Sequence, residues 1–199
     1  MDRRASIAMT VDVVSEAKNG HMRWACDQAA GRTGPLSDPS AKRVTSTDMA
    51  ALPPDVWHAA IPVRFRHCDP AGIVFTPRYF DIIQEAVERF FGERLGIDYY
   101  DLLGARRIGL GYAHASCEFL SPSRMGDVLH VAVGIGRIGG ASYDLHLPTF
   151  REGREVVRGR LVTVTTALDS GRPQPIPDDV RTALERYREG CGPMPGIAS

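Results

Sequence analysis

The chain has 199 residues, 43% hydrophobic and 24% charged, and its 24 basic side chains are matched by 24 acidic ones. Such values suit one globular domain with a sizeable core and exclude a low-complexity or strongly charged disordered chain. Balanced charge gives no broad attraction for nucleic acid or an anionic membrane surface, so the expected partners are small molecules and other subunits.

Four cysteines, Cys26, Cys68, Cys117 and Cys191, are scattered without the close pairing of a zinc site or the density of a secreted scaffold. No apolar run is long enough to span a bilayer. A reducing, cytoplasmic setting is the expectation.

Residues 1 to 52 hold polar, glycine- and proline-containing clusters without a sustained apolar period, and are expected to form a disordered extension. Met49 lies at the edge of the patterned region and offers an alternative start. From 57 to 67 the apolar positions alternate, with Val63, Phe65 and His67 on one face and Arg64, Arg66 and Cys68 on the other, which predicts a first strand. Asp69-Pro70-Ala71-Gly72 breaks it, since proline lacks a ladder donor and glycine tolerates turn geometry.

Thr76-Pro77 predicts a helix start, with a hydroxyl residue at the N-cap and proline at the first helical position. Tyr79, Ile83, Ala86 and Phe90 recur at helical spacing, and Phe80, Ile82, Val87 and Phe91 widen the stripe, so a helix wrapped by other elements should run to about Leu95 and stop at Gly96. A short helical turn is expected around 101 to 105. Four extended segments follow at 112 to 119, 128 to 137, 142 to 151 and 155 to 168, the last rich in β-branched residues. Pro148 should confine its strand to an edge or a bulge. A final amphipathic helix from Pro177 to about Gly190 carries Val180, Leu184 and Tyr187 on one face. One strand, one long buried helix and a run of antiparallel strands make an α+β plan, with a domain over 53 to 190 and a flexible tail over 191 to 199.

Gly134-Ile135-Gly136-Arg137-Ile138-Gly139 matches the dinucleotide-binding fingerprint letter for letter. That motif works only where a helix follows the glycines, whereas here a strand pattern follows, so a glycine-eased hairpin is expected. His67 and Cys68 point to opposite faces of a strand and cannot easily converge, and His114 and Cys117 are isolated, so none of them is assigned a metal or a nucleophilic role.

Asp69 differs because its carboxylate falls between a strand end and the start of a buried helix. Unpaired N–H groups at a helix start polarise a carbonyl and hold developing negative charge, and a nearby carboxylate can attack the carbon or activate water. On the residues alone, a simple turn cap is the favoured reading of Asp69 over a catalytic one.

The run from Val63 to Tyr79, with Asp69-Pro70-Ala71-Gly72-Ile73-Val74-Phe75 at its centre, strongly resembles the start of the 4-hydroxybenzoyl-CoA thioesterase family. Cys117-Glu118-Phe119, Gly126-Asp127-Val128-Leu129 and Ala141-Ser142-Tyr143 extend the likeness over roughly 63 to 168. The resemblance implies a hot-dog fold, an antiparallel sheet wrapped around one central helix, and hydrolysis of an acyl-CoA or aroyl-CoA thioester. It places the catalytic carboxylate at Asp69 and the carbonyl-polarising backbone N–H at Thr76, with Phe75, Pro77, Gln84 and Ser142 as candidate substrate contacts. The family carries an acid where this chain has Gln84. That departure removes the charged acceptor for a ring hydroxyl.

Glu85 is a reserve catalytic candidate, since some hot-dog thioesterases use a helical glutamate. Arg106, Arg107, Arg124 and Arg137 are candidate contacts for the phosphates of coenzyme A. No metal or cofactor is expected beyond coenzyme A as part of the substrate, and the resemblance implies a homodimer or homotetramer. Two other functions stay open: a non-catalytic acyl-CoA binding module, and a hot-dog hydratase or dehydratase. The latter needs a histidine near the helix start, and 76 to 91 has none.

Overall fold

The computed structural model describes residues 46–192, 194 and 195. Most of the expected 1 to 52 extension, and most of the 191 to 199 tail, therefore lie outside the described residues. Seven strands, β1 (His58–Pro62), β2 (Ile108–Phe119), β3 (Val128–Ala132), β4 (Gly134–Ile138), β5 (Ser142–Arg151), β6 (Arg154–Ala167) and β7 (Arg172–Pro173), form one sheet. Its order is β1-β3-β5-β6-β2, all pairs being antiparallel, with β4 on β5 and β7 on β6. The sheet curls around helix α1 (Arg78–Phe90), giving the expected α+β hot-dog arrangement. Helices α2 (Tyr99–Leu103) and α3 (Asp178–Cys191) complete the unit.

Helix α1 buries Tyr79, Ile82, Ile83, Ala86, Val87 and Phe90, a stripe wide enough to face a curved sheet along its whole length. The sheet comes close: a Cβ at Gly159 of β6 would meet Ile83 Cδ1 at 2.9 Å and Leu147 Cβ at 3.3 Å. Glycine there lets the helix rest against the backbone. Past Phe90 the helix loosens into a wider π turn, Phe91–Leu95, which Gly96 closes with a left-handed φ of 70°.

The first strand is shorter than its sequence pattern. It ends at Pro62, and Phe65–His67 form a 3₁₀ turn in which Phe65 is 83% exposed while His67 is buried. The expected common face of Val63, Phe65 and His67 is therefore broken.

The expected strand over 128 to 137 is two strands. Val133 interrupts it by giving its N–H to the Trp57 carbonyl (3.1 Å) and its carbonyl to the Tyr187 hydroxyl (2.6 Å). This break also explains Pro148. Its strand β5 is central in the sheet, not an edge, but pairing with β3 stops at Thr149 and pairing with β4 resumes at His146, so the missing N–H faces no continuous ladder on that side. The glycine-rich 134 to 139 run is β4 with its hairpin, closed by Gly139 N–H on the Ser142 carbonyl at 2.7 Å. No helix follows the glycines, and the dinucleotide reading fails.

The folded unit reaches back ahead of residue 53. Glu155, only 2% exposed, receives Arg158 Nε at 2.8 Å and Nη2 at 2.6 Å, and the Thr47 backbone N–H at 2.9 Å. Glu155 N–H returns to the Thr47 carbonyl at 3.1 Å, and Met49 N–H reaches Gly153 at 2.7 Å. A buried carboxylate that loses a donor is costly. A chain starting at Met49 should therefore be less stable than one starting at Ser46 by about 1–3 kcal/mol, which calorimetry would show as a lower Tm. Equal Tm values would show that the Ser46 to Asp48 strap contributes nothing. At the other end Cys191 and Met194 are buried in the core. Among the described residues no helix is long and apolar enough to cross a membrane.

Candidate active site

The turn that carries Asp69 closes on itself. Gly72, with φ 75°, gives its N–H to the Asp69 carbonyl at 2.9 Å, and Asp69 N–H reaches the Ile73 carbonyl at 3.0 Å. The Asp69 side chain uses only Oδ1, which accepts the Ala71 N–H at 2.9 Å, and the residue is half-buried. Its Oδ2 has no partner among the described residues. Asp69 thus does cap its turn, as the plain reading held, and still keeps a free carboxylate oxygen.

The loop is pinned to the sheet side by Val74 N–H on the Ser123 carbonyl (2.9 Å) and to its own start by Phe75 N–H on the His67 carbonyl (2.9 Å). Helix α1 then starts through tight turns: Arg78 N–H to Phe75, Tyr79 to Thr76 and Phe80 to Pro77. The Thr76 hydroxyl makes no capping bond, contrary to the expected N-cap role, and Pro77 occupies the cap. The Thr76 N–H has no acceptor among the described residues, and it lies at the positive end of the helix. One short loop therefore presents a carboxylate oxygen and an unpaired donor. Phe75 (49% exposed) and Pro77 flank them in the open.

Gln84 is taken up by protein. Its Nε2 donates to Glu88 (3.0 Å) and Tyr99 (3.1 Å), and its Oε1 accepts the Tyr112 hydroxyl at 2.5 Å. Tyr100 extends the network by donating to Glu88 at 2.9 Å. Burial pushes the Tyr112 phenol well above its ordinary range, so it stays a neutral donor. The sequence pattern gave no sign of Tyr99, Tyr112 and Glu88 in this role, because their meeting depends on the β2 register and on the position of α2.

Glu85 lies on the opposite flank of α1, in a cleft of about 300 Å³ with Arg66, His67, Arg78 and Asp81. Ser142 is remote from the start of α1 but level with Tyr112 of the Gln84 network, because Val164, its partner on β6, also pairs with Gly111 of β2. The start of α1 abuts Phe119, which pairs with Val157. Seven residues of strand separate those rows, about 23 Å. Of the arginines, Arg106 is paired with Asp179 (2.7 Å) and Arg107 with Asp169 (2.8 Å), whereas Arg124 and Arg137 remain exposed. Cys117 is buried and its thiol is pushed up to about 12, which suits packing and not nucleophilic attack. Among the described residues no group of three or more His, Cys, Asp or Glu could hold a metal ion.

A family model for the thioesterase-like superfamily matches residues 63–184, more than half of the chain. The chain belongs to that superfamily. It is 29% identical over 128 residues to a 1,4-dihydroxy-2-naphthoyl-CoA hydrolase of Nostoc punctiforme, covering 63% of this chain and 84% of that protein. The structure of a gentisyl-coenzyme A thioesterase superposes with a TM-score of 0.58 at 30% identity, covering 65% of this chain and 98% of the other. A 1,4-dihydroxy-2-naphthoyl-CoA thioesterase from Synechocystis, 21% identical, shares the fold at a TM-score of 0.60, covering 65% of this chain and 95% of that one. The chain is a thioester hydrolase. The membership is in the wider superfamily, so the narrower likeness to 4-hydroxybenzoyl-CoA thioesterases gives way to it.

Proposed function

We propose that this superfamily member hydrolyses an aroyl-CoA thioester bearing ring hydroxyls, with Asp69 as nucleophile or general base and the Thr76 backbone N–H as the carbonyl-polarising donor. The observation that carries this reading is the free Asp69 oxygen and the unpaired Thr76 N–H on one loop at a helix start. The thioester carbonyl oxygen takes the Thr76 N–H, which gains strength as negative charge develops there. Asp69 then either attacks the carbonyl carbon, forming a mixed anhydride that water cleaves, or removes a proton from the attacking water. In both routes the C–S bond breaks and coenzyme A leaves as the thiol.

The ring class is supported by the two relatives named for hydroxylated aroyl thioesters and by the network around Gln84. Gln84 lies eight residues from Thr76, about 12 Å along the helix, enough for a carbonyl contact, an aromatic acyl group and a hydroxyl contact in series. After donating to Gln84, the Tyr112 oxygen can still accept a hydrogen bond from a ring hydroxyl. Tyr112→Phe should raise KM about 2- to 10-fold for hydroxylated aroyl thioesters, the worth of one hydrogen bond, and leave benzoyl-CoA unaffected. Equal effects on both substrates would remove the ring-hydroxyl role.

β2 is an edge of the sheet and exposes Gly111, Tyr112 and Ala113, so a second copy adding there would form the homodimer and close the site. The deciding assay is release of free thiol from gentisyl, dihydroxynaphthoyl, benzoyl and fatty acyl thioesters. Hydrolysis of the hydroxylated aroyl members above the others supports the proposal. Absence of thiol release from every member would favour a binding module instead.

A further inference from the structure

We infer that His67 is a positioning residue for this reaction, a neutral imidazole that clamps the loop carrying Asp69 and Thr76. The inference rests on the roles proposed for those two groups. Residue 67 sits at the mouth of the loop, and three of its contacts fix it. Its N–H reaches the Arg64 carbonyl at 2.9 Å, closing the 3₁₀ turn before Asp69. Its carbonyl accepts the Phe75 N–H at 2.9 Å, closing the loop just before Thr76. The residue is 4% exposed, and its ring has Nδ1 3.0 Å from the Arg64 backbone N–H. The other ring nitrogen, Nε2, lies 3.1 Å from Arg66 Nε.

Both ring neighbours are donors. A neutral imidazole accepts from one of them and a protonated imidazole from neither. The Arg64 amide is fixed inside the turn, whereas the Arg66 guanidinium is at the surface and can turn to water. Nδ1 therefore accepts from Arg64, and the ring proton sits on Nε2. Protonating Nδ1 would place N–H against N–H at the start of the turn and loosen the loop on both sides of Asp69.

The surroundings favour the neutral form. Burial is the largest influence lowering the His67 pKa, followed by Arg66, with Arg78 acting the same way, while Glu85 and Asp81 across the cleft oppose them. The ring is thus neutral at pH 7. The clamp holds fully above the ordinary histidine pKa of 6.5 and is lost as pH falls through the lower, folded value.

Three measurements on the full chain test this. The His67 ring resonances, followed by NMR against pH, should titrate with a midpoint below 6.5, and this readout does not depend on any assumption about catalysis. At pH 8, His67→Ala should lower kcat about tenfold or more with KM changed far less, the loss expected from one buried hydrogen bond that holds catalytic geometry. His67→Asn keeps an acceptor near the Nδ1 position without a titrating group, so it should restore most of that kcat and move the acid limb of the kcat profile to lower pH. A ring midpoint at or above 6.5 would overturn the clamp. So would unchanged kcat in His67→Ala, no rescue by His67→Asn, or an acid limb that stays in place. Should His67→Ala fail to fold, the NMR midpoint and the His67→Asn profile still decide. Failure of the Asp69 reading shows separately, as full turnover by an Asp69 variant.

Discussion

Asp69→Asn should lower kcat for thioester hydrolysis by about 10²–10⁴-fold, the range for removing a positioned general base or nucleophile. The substitution isolates chemistry from architecture because asparagine keeps the oxygen that matters to the turn. In the native protein Oδ1 accepts the Ala71 N–H, and the amide oxygen of asparagine can make the same bond. The Gly72–Asp69 and Asp69–Ile73 backbone bonds do not involve the side chain at all. Tm should therefore shift little, within about 0.5 kcal/mol of stability, as for half-exposed sites without a lost contact. KM should also hold, since the substitution leaves the contacts proposed for the Thr76 N–H and Tyr112 in place. Turnover at the wild-type rate in Asp69→Asn would remove the assigned role. A matching fall in Tm would instead make Asp69 a structural cap.

Much of this was legible in the sequence wherever a local pattern sets the outcome. The α1 stripe, the Gly96 stop, the Asp69 to Gly72 turn and the long β6 all depend on periodicity or on glycine and proline chemistry within a few residues. What the pattern misplaced depends on partners distant in the chain. Alternation across Val63, Phe65 and His67 suggested a continuing strand, yet backbone pairing gives out after Val63, which still bonds Asp127 and Gly126, and the His67 ring captures the Arg64 amide, folding the segment into a turn. The split at Val133 needs Trp57 and Tyr187, respectively 76 residues before it and 54 after. Pro148 was correctly seen as incompatible with a continuous ladder. Of the edge or bulge expected for it, the edge fails, since β5 is central, while a register irregularity at Thr149 and Phe150 lies beside it together with the gap between β3 and β4.

The candidate site divides along the same line. Asp69, Phe75, Thr76 and Pro77 were found together because they share one loop. Gln84 was placed beside the apolar stripe, but the three groups that fix its amide come from α1 itself, α2 and β2. Ser142 shows the converse: the sheet carries it away from the Asp69 loop to the level of Tyr112, two strands from Gly111.

Phe90→Ala should cost about 3–5 kcal/mol of stability, the range for deleting a buried phenylalanine. Phe90 is fully buried at the last position of α1, where three parts of the chain converge on its ring. Tyr187 of α3 lies 4.8 Å away edge-on, Trp57 before β1 lies 5.6 Å away, and Phe91 lies 6.2 Å away. The cavity left by truncation would be lined by rings that are themselves anchored. Tyr187 is tied to Val133 and to Trp57 through its hydroxyl, so it cannot move in to fill the space without giving up those bonds. Poor relaxation places the cost toward the upper end of the range. For a domain of this size each kcal/mol is worth about 2–4 °C, so Tm should fall by roughly 6–20 °C. Activity should respond differently. Phe90 is fourteen residues along the helix from Thr76, about 21 Å, so kcat well below the lowered Tm should stay near the wild-type value. A small Tm change would mean that the rings repack around the gap. A large kcat loss in a fully folded variant would mean that the far end of α1 sets the geometry at Thr76, and that the helix transmits more than support.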